Sequence, residues 1–203
     1  NMSALLRSLT PGTTVPECEG ERLYLRLPQL SDHAEWAKLR SESREFLEPW
    51  EPRWSSSTLS RIDFRRRLRR YARDVKEDRG IAFFIFRQDE GNLVGGISLS
   101  NIRRGVTQSC SLGYWIGEKH ARQGFMTEAV TVIIRYVFDF LHLNRLEAAC
   151  VPENIASMGV LKKTGFTEEG LARKYIRING IWRDHILFAI LSSDLRTVLE
   201  SNH

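Results

Sequence analysis

Over residues 21–27 apolar and charged positions alternate, with Leu23, Leu25 and Leu27 set against Arg22, Tyr24 and Arg26. That two-residue period predicts a half-buried strand. Ser31-Asp32 then stands just before Ala34, Trp36, Ala37 and Leu39, the pattern of a capped helix start. Pro49 and Pro52 exclude a helix interior over residues 46–52, so this stretch is expected as an ordered loop anchored by Phe46 and Trp50. Residues 58–77 return to helical spacing, with Leu59, Ile62, Leu68, Tyr71, Ala72 and Val75 close to one face. A nearly continuous apolar strand follows at 81–86. Asp89-Glu90-Gly91-Asn92 reads as a hairpin turn, and 93–102 as the partner strand.

A turn containing Gly105 leads into a strand at 110–116, rich in aromatic and β-branched residues. After a polar loop holding Arg122-Gln123-Gly124, a helix is predicted over 123–141 with Ala129, Val130, Ile133, Ile134, Val137 and Phe140 on its buried face. A strand at 144–151 comes next, and its helical connection makes it parallel to the strand before it. Asn154 opens a short helix that Gly165 stops. Residues 166–178 and 182–191 form a last hairpin around Asn179-Gly180, a strong turn signal. Residues 2–20, with Pro11, Gly12, Pro16 and Gly20, show little periodicity and read as a loosely ordered arm. The expectation is therefore an arm over 1–21 and one mixed α/β domain over 22–200, with no internal repeat.

At 203 residues and 42% hydrophobic content the chain can bury one substantial core. No apolar run has the length of a membrane span and no leader is legible, so a cytoplasmic protein is expected. Cys18, Cys110 and Cys150 show neither Cys-x-x-Cys spacing nor a neighbouring histidine, and read as reduced thiols. The five histidines are scattered, and no metal is expected. The net charge of +5 suggests an acidic ligand or partner. Much of it lies between Arg61 and Arg73, which includes Arg65-Arg66-Arg67 and Arg69-Arg70. Such a run is either a solvated helix face or a platform for weak contact with RNA or a ribosome.

The strand, Gly-bearing turn and helix around Gly124 place unpaired N–H groups and the positive end of a helix dipole together, which suits a phosphate or pyrophosphate. Neither the dinucleotide-binding nor the P-loop glycine spacing is present. The stretch resembles the acyl-CoA motif of the GNAT superfamily of N-acetyltransferases, Arg/Gln-x-x-Gly-x-Gly/Ala. Its central glycine falls on Gly124, while Ala121 and Met126 replace the outer positions. Gly-Tyr-Trp-Ile-Gly at 113–117 and Thr-Glu-Ala at 127–129 are similar to the ribosomal-protein-alanine N-acetyltransferases. A second block, Asn154-Ile-Ala-Ser-Met-Gly-Val-Leu-Lys-Lys-Thr-Gly-Phe166 followed by Glu169-Gly170, resembles the family's Asn-x-x-Ser, Leu-x-x-x-Gly-Phe and Glu-Gly pattern.

The resemblance implies the GNAT fold: a mixed, mostly antiparallel sheet of seven strands flanked by helices, with a parallel central pair that splays apart. It implies acetyl-CoA as co-substrate, held by Trp115, Ile116, Gly117, Arg122, Gln123, Gly124, Phe125, Met126, Thr127, Asn154 and Ser157. Asn154 would bind the pantetheine arm, Ser157 would protonate the leaving thiolate, and a backbone N–H of Trp115, Ile116 or Gly117, placed centrally on Ile116, would polarise the acetyl carbonyl. The structural alternatives are an N-cap for Asn154 and an ordinary first-turn residue for Ser157. Many relatives carry a strand glutamate where this chain has Ser111. Glu48, Glu51, Asp184 or an ordered water remain as base candidates, and the base stays unassigned. Glu128 reads as a first-turn carboxylate favoured by the helix dipole. The acceptor is expected to be the α-amino group of a ribosomal protein, with a small amine, or a non-catalytic RNA-binding module of the same fold, as alternatives.

Overall fold

In the computed structural model, which describes residues 15–195, one sheet of eight strands runs through the molecule in the order β1-β2-β3-β4-β5-β6-β8-β7. The strands are β1 (Cys18–Glu19), β2 (Leu23–Arg26), β3 (Ile81–Arg87), β4 (Leu93–Arg103), β5 (Ser109–Ile116), β6 (Arg145–Cys150), β7 (Thr167–Ile178) and β8 (Ile181–Leu191). The helices are α1 (His33–Glu42), α2 (Arg44–Leu47), α3 (Arg61–Lys76), α4 (Phe125–Arg135) and α5 (Ile155–Lys163). Every strand pair is antiparallel except β5–β6. The expected count was seven. The eighth is β1, which pairs Cys18 with Leu25 and Glu19 with Tyr24 inside the stretch read as an arm. Two residues are too few to show a period, so only pairing reveals it. The rest of that arm, residues 1–14, and residues 196–203 lie outside the described residues.

Strand β3 explains its own unbroken apolar run. Phe83 and Ile85 join the cluster beneath α4, whereas Phe84 and Phe86 join a second cluster with Trp36, Leu39 and Phe64 of α1 and α3. A strand covered on both faces has no polar side to alternate with. The sheet thus has an α4–α5 face and an α1–α3 face. Asp32 sits before α1 and accepts both guanidinium nitrogens of Arg26 at 2.8 Å, which ties the helix start to β2.

Three local expectations change. Residues 46–52 are not a plain loop: α2 runs into a 3-10 turn at Glu48–Trp50, because Pro49 sits in its first turn, where a missing N–H costs nothing. Its anchor is Leu47, 5% exposed, while Trp50 is 36% exposed and Phe46 only half-buried. In α3 the buried side chain is Phe64, and Ile62 is 67% exposed, since the helix rotates Phe64 onto Trp36. The predicted 123–141 helix starts at Phe125 and ends in a π-helical turn, Tyr136–Phe140.

Candidate active site

Between β5 and β6 the paired residues run from Ser109–Arg145 to Leu112–Ala148 and then stop. Strand β5 stays on β4 as far as Ile116 opposite Gly95, and β6 stays on β8 as far as Cys150 opposite Ile186. Each strand is held by its outer neighbour while the two part from each other, so a wedge opens at the carboxyl end of the parallel pair. Successive N–H groups of an antiparallel strand point to opposite neighbours. The Gly117 N–H donates to the Val94 carbonyl at 2.8 Å. By alternation the Trp115 N–H also serves β4, and those of Tyr114 and Ile116 face the wedge. Of the three donors considered from sequence, the ladder leaves Ile116 free.

The loop into α4 lies at the same end of the sheet. Gly124 has φ +77° and Arg122 φ +61°, so the chain turns through left-handed backbone immediately before the helix. From Arg122 to Thr127 no backbone N–H has an acceptor among the described residues; the first such bond is Glu128 N–H to the Gly124 carbonyl, 3.1 Å. These are orphan donors at the positive end of a helix dipole. Arg22 braces the loop from β2's leading edge: it donates to the Gln123 carbonyl at 2.8 Å and to Glu128 at 3.1 Å, and lies 4.6 Å over the Phe125 ring. Glu128 is therefore fixed by an ion pair and by the Arg22 N–H, beyond any dipole effect. Behind the loop His120 is buried against Phe125, its Nε2 without a hydrogen-bond partner among the described residues. Burial, then Lys119 and Arg87, hold its pKa below the ordinary value.

On the far side of the wedge Asn154 caps α5, its Oδ1 accepting the Ser157 N–H at 3.2 Å, so its amide NH2 remains for another partner. The Ser157 hydroxyl is not alone. Tyr114 of β5 places its hydroxyl 2.8 Å from Ser157 Oγ and 3.2 Å from the Ser157 carbonyl. Burial pushes the Tyr114 pKa up to about 12, with the Ser157 bond opposing, so the phenol keeps its proton. Cys150 also lies beside Ser157, and burial pushes its thiol up to about 11. Tyr114 was legible within Gly-Tyr-Trp, but only the strand's facing shows that it meets α5.

The α1–α3 face of the wedge carries a second constellation. Arg40, 7% exposed, gives two hydrogen bonds to Glu51 at 2.9 and 2.6 Å and lies 4.5 Å from the Trp54 ring centroid and 4.8 Å from that of Trp115. Trp54 Nε1 donates to Glu51 at 2.9 Å. The tip of the β7–β8 hairpin docks on this loop through the Asn179 N–H and the Glu51 carbonyl, 2.9 Å. The base candidates are occupied: Glu48 by Arg44 at 2.7 Å, Glu51 by Arg40, and Asp184 by the Lys174 N–H at 2.8 Å. Ser111 pairs with Glu147 on β6, whose carboxylate holds Arg145 at 2.8 Å. His185, absent from the sequence reading, is buried on β8. No group of three or more His, Cys, Asp or Glu able to hold a metal is found among the described residues.

A sheet split at a parallel pair, with an anion-binding turn at its open end, is the architecture of an acyl-CoA-dependent acyltransferase. The family model for the acetyltransferase (GNAT) domain matches residues 22–167, and the chain belongs to that family. Among known proteins, it is 38% identical over 176 residues to "Probable N-acetyltransferase YjcK" of Bacillus subtilis (strain 168), covering 87% of this chain and 97% of that one. It is 37% identical over 174 residues to the [ribosomal protein uS5]-alanine N-acetyltransferase of Escherichia coli (strain K12), covering 86% and 90%. The structure of the ribosomal-protein-S5-alanine acetyltransferase from Vibrio fischeri superposes with a TM-score of 0.81 at 33% identity, covering 89% of this chain and 98% of that one. Mycobacterium smegmatis RimJ in complex with CoA-disulfide gives 0.83 at 28% identity, covering 92% and 95%. The protein is an acetyl-CoA-dependent N-acetyltransferase, with acetyl-CoA as its co-substrate.

Proposed function

We propose that this enzyme acetylates the N-terminal α-amino group of a ribosomal protein in the cytoplasm, by direct transfer with both substrates bound. The observation that carries this reading is the acceptor side of the wedge. There, on the face of the β7–β8 hairpin that carries His185, Tyr175, Ile176 and Ile181 are between 39% and 65% exposed. A small amine has no use for so extended an apolar wall, whereas a peptide can lie along it. The names of the Escherichia coli and Vibrio fischeri relatives support the same acceptor class.

The site's geometry supports a role for each residue. The N–H row from Arg122 to Thr127, including Gln123, Gly124, Phe125 and Met126, takes the diphosphate. The Asn154 amide and the backbone at Trp115, Ile116 and Gly117 line the pantetheine arm. The Ile116 N–H polarises the acetyl carbonyl, where negative charge grows as the amine attacks. Ser157 gives its proton to the departing sulfur and is resupplied by Tyr114. Holding amine and thioester together in the wedge supplies orientation, a large share of the acceleration. The arginine face of α3 makes a second, weaker contact with ribosomal RNA. Arg61, Arg65, Arg69 and Arg73 recur every fourth residue, all exposed and without an ion pair among the described residues.

The test is thiol release from acetyl-CoA with a free-amine peptide matching a ribosomal protein N-terminus, the same peptide N-blocked, and a panel of small amines. Release with the free peptide alone, and acetyl mass on its α-nitrogen, is expected. Release confined to small amines overturns the acceptor assignment.

A further inference from the structure

We propose that His185 is the general base that takes the proton from the acceptor amine, a role that rests on the acetyl-transfer reading above. An α-amine must shed a proton as its nitrogen bonds to the acetyl carbon. The C–S bond then breaks, its electron pair leaves with sulfur, and the sulfur is protonated from Ser157. One proton remains to be removed on the acceptor side, and a positioned side chain does this better than bulk water.

The carboxylates near that side are bound to cations or to a backbone donor. Glu48, Glu51 and Glu147 are paired with Arg44, Arg40 and Arg145, Glu153 holds Arg183 at 2.9 Å, and Asp184 accepts from Lys174 N–H. His185 differs. Its Nδ1 lies 3.0 Å from the Arg183 carbonyl oxygen. A carbonyl can only accept, so Nδ1 carries the hydrogen and Nε2 keeps its lone pair. The ring's hydrogen bond among the described residues is made by Nδ1, which leaves Nε2 for an incoming group.

Position follows from register. Ile186, Phe188 and Ile190 of β8 pack into the cluster beneath α4 and α5, so His185 lies on the opposite face, the one that carries Trp115. The last β6–β8 pair is Cys150–Ile186, which puts His185 just beyond it, level with the open end of the wedge. His185 is 3% exposed, and its ring stands 5.8 Å from that of the half-exposed Tyr175 on β7. Tyr175 and the Arg183–Glu153 pair are ionisable groups close to it, while Asp184, the next residue on the strand, points to the other face. Trp115 on one side and His185 on the other frame the acceptor's approach.

His185→Gln keeps a polar side chain of similar reach but no base. At neutral pH its kcat/KM should fall on the order of 10²-fold, with the affinity for acetyl-CoA unchanged and the acidic limb of the rate profile lost. Free imidazole should restore part of the rate in His185→Ala. Folding of both variants is checked by thermal melting. Nitrogen-15 NMR of wild type reads the tautomer without any mutation, and hydrogen on Nε2 overturns the proposal. So does a folded His185→Gln with an unchanged profile, or a larger loss in Glu147→Gln. Wild type that binds acetyl-CoA but releases no thiol with any amine would instead remove the acetyl-transfer reading itself, and this proposal with it.

Discussion

Tyr114 Oη stands 2.8 Å from Ser157 Oγ, joining the strand on one side of the wedge to the helix on the other. If the phenol donates to Ser157 Oγ, the serine's own hydrogen is free to meet the departing sulfur. Ser157→Ala and Tyr114→Phe should therefore both lower kcat, on the order of tenfold to 10²-fold, with little change in acetyl-CoA affinity. Because the two act in series, the double variant should be little worse than Ser157→Ala. Steady-state kinetics on the four proteins checks this, and fully additive losses would separate the two residues.

Gly124→Val should abolish tight acetyl-CoA binding. Valine resists φ near +77°, and a Cβ there would lie 3.2 Å from Arg22 Nη2, in the brace that shapes the loop. Calorimetry should show the loss, while melting falls by only a few degrees, as about 1–2 kcal/mol of backbone strain implies. Unchanged affinity in the folded variant would remove the loop from the site.

Breaking the Arg40–Glu51 pair should be costly. Glu51→Ala leaves the Arg40 guanidinium buried between two tryptophans without its carboxylate, and a loss of about 3 kcal/mol is expected in urea unfolding. The same change also frees the loop on which the β7–β8 tip docks, so KM for a peptide acceptor should rise more than KM for acetyl-CoA.

Burial lowers the pKa of His120 from its ordinary 6.5, with Lys119 and Arg87 adding to the effect and Glu90 and Glu35 opposing it. The unfolded chain then binds that proton more tightly than the folded one. Stability from this site is complete above about pH 6.5 and drains away as the pH falls towards the folded value. The melting temperature of wild type should drop further between about pH 7 and about pH 5 than that of His120→Gln. Parallel melting curves would dismiss the effect.

Reversing Arg65 and Arg69 to glutamate tests the α3 stripe. Its unpaired arginines span roughly 18 Å from Arg61 to Arg73 at the rise of an α-helix. Acetylation of a ribosomal protein within its RNA assembly should slow, and its salt dependence flatten, while a short peptide is acetylated at the wild-type rate. Equal, salt-insensitive rates on the assembly would leave the stripe as solvated surface.

Elements with a period or an apolar run long enough to see were legible from sequence: β3, β4, β5 and the helix over Ala129, Val130, Ile133 and Ile134. So were the Gly124 turn and the Asn154 block, because turns and caps demand particular residue types locally. Sequence could not fix which Phe46–Pro52 residue is buried, since Leu47 faces the interior as the last residue of α2, a helix too short to show a period. Nor could it separate Ile116 from Trp115 and Gly117 as the free donor, because N–H direction depends on which neighbour each bond serves. Tyr114 meets Ser157, and Arg40 meets Trp54 and Trp115, over separations that no local pattern encodes. His185 belongs to the same class: β8 inserts between β6 and β7, and that strand order alone sets the imidazole beside the wedge. Local chemistry wrote the elements and the turns, and long-range pairing decided which side chains share the cleft.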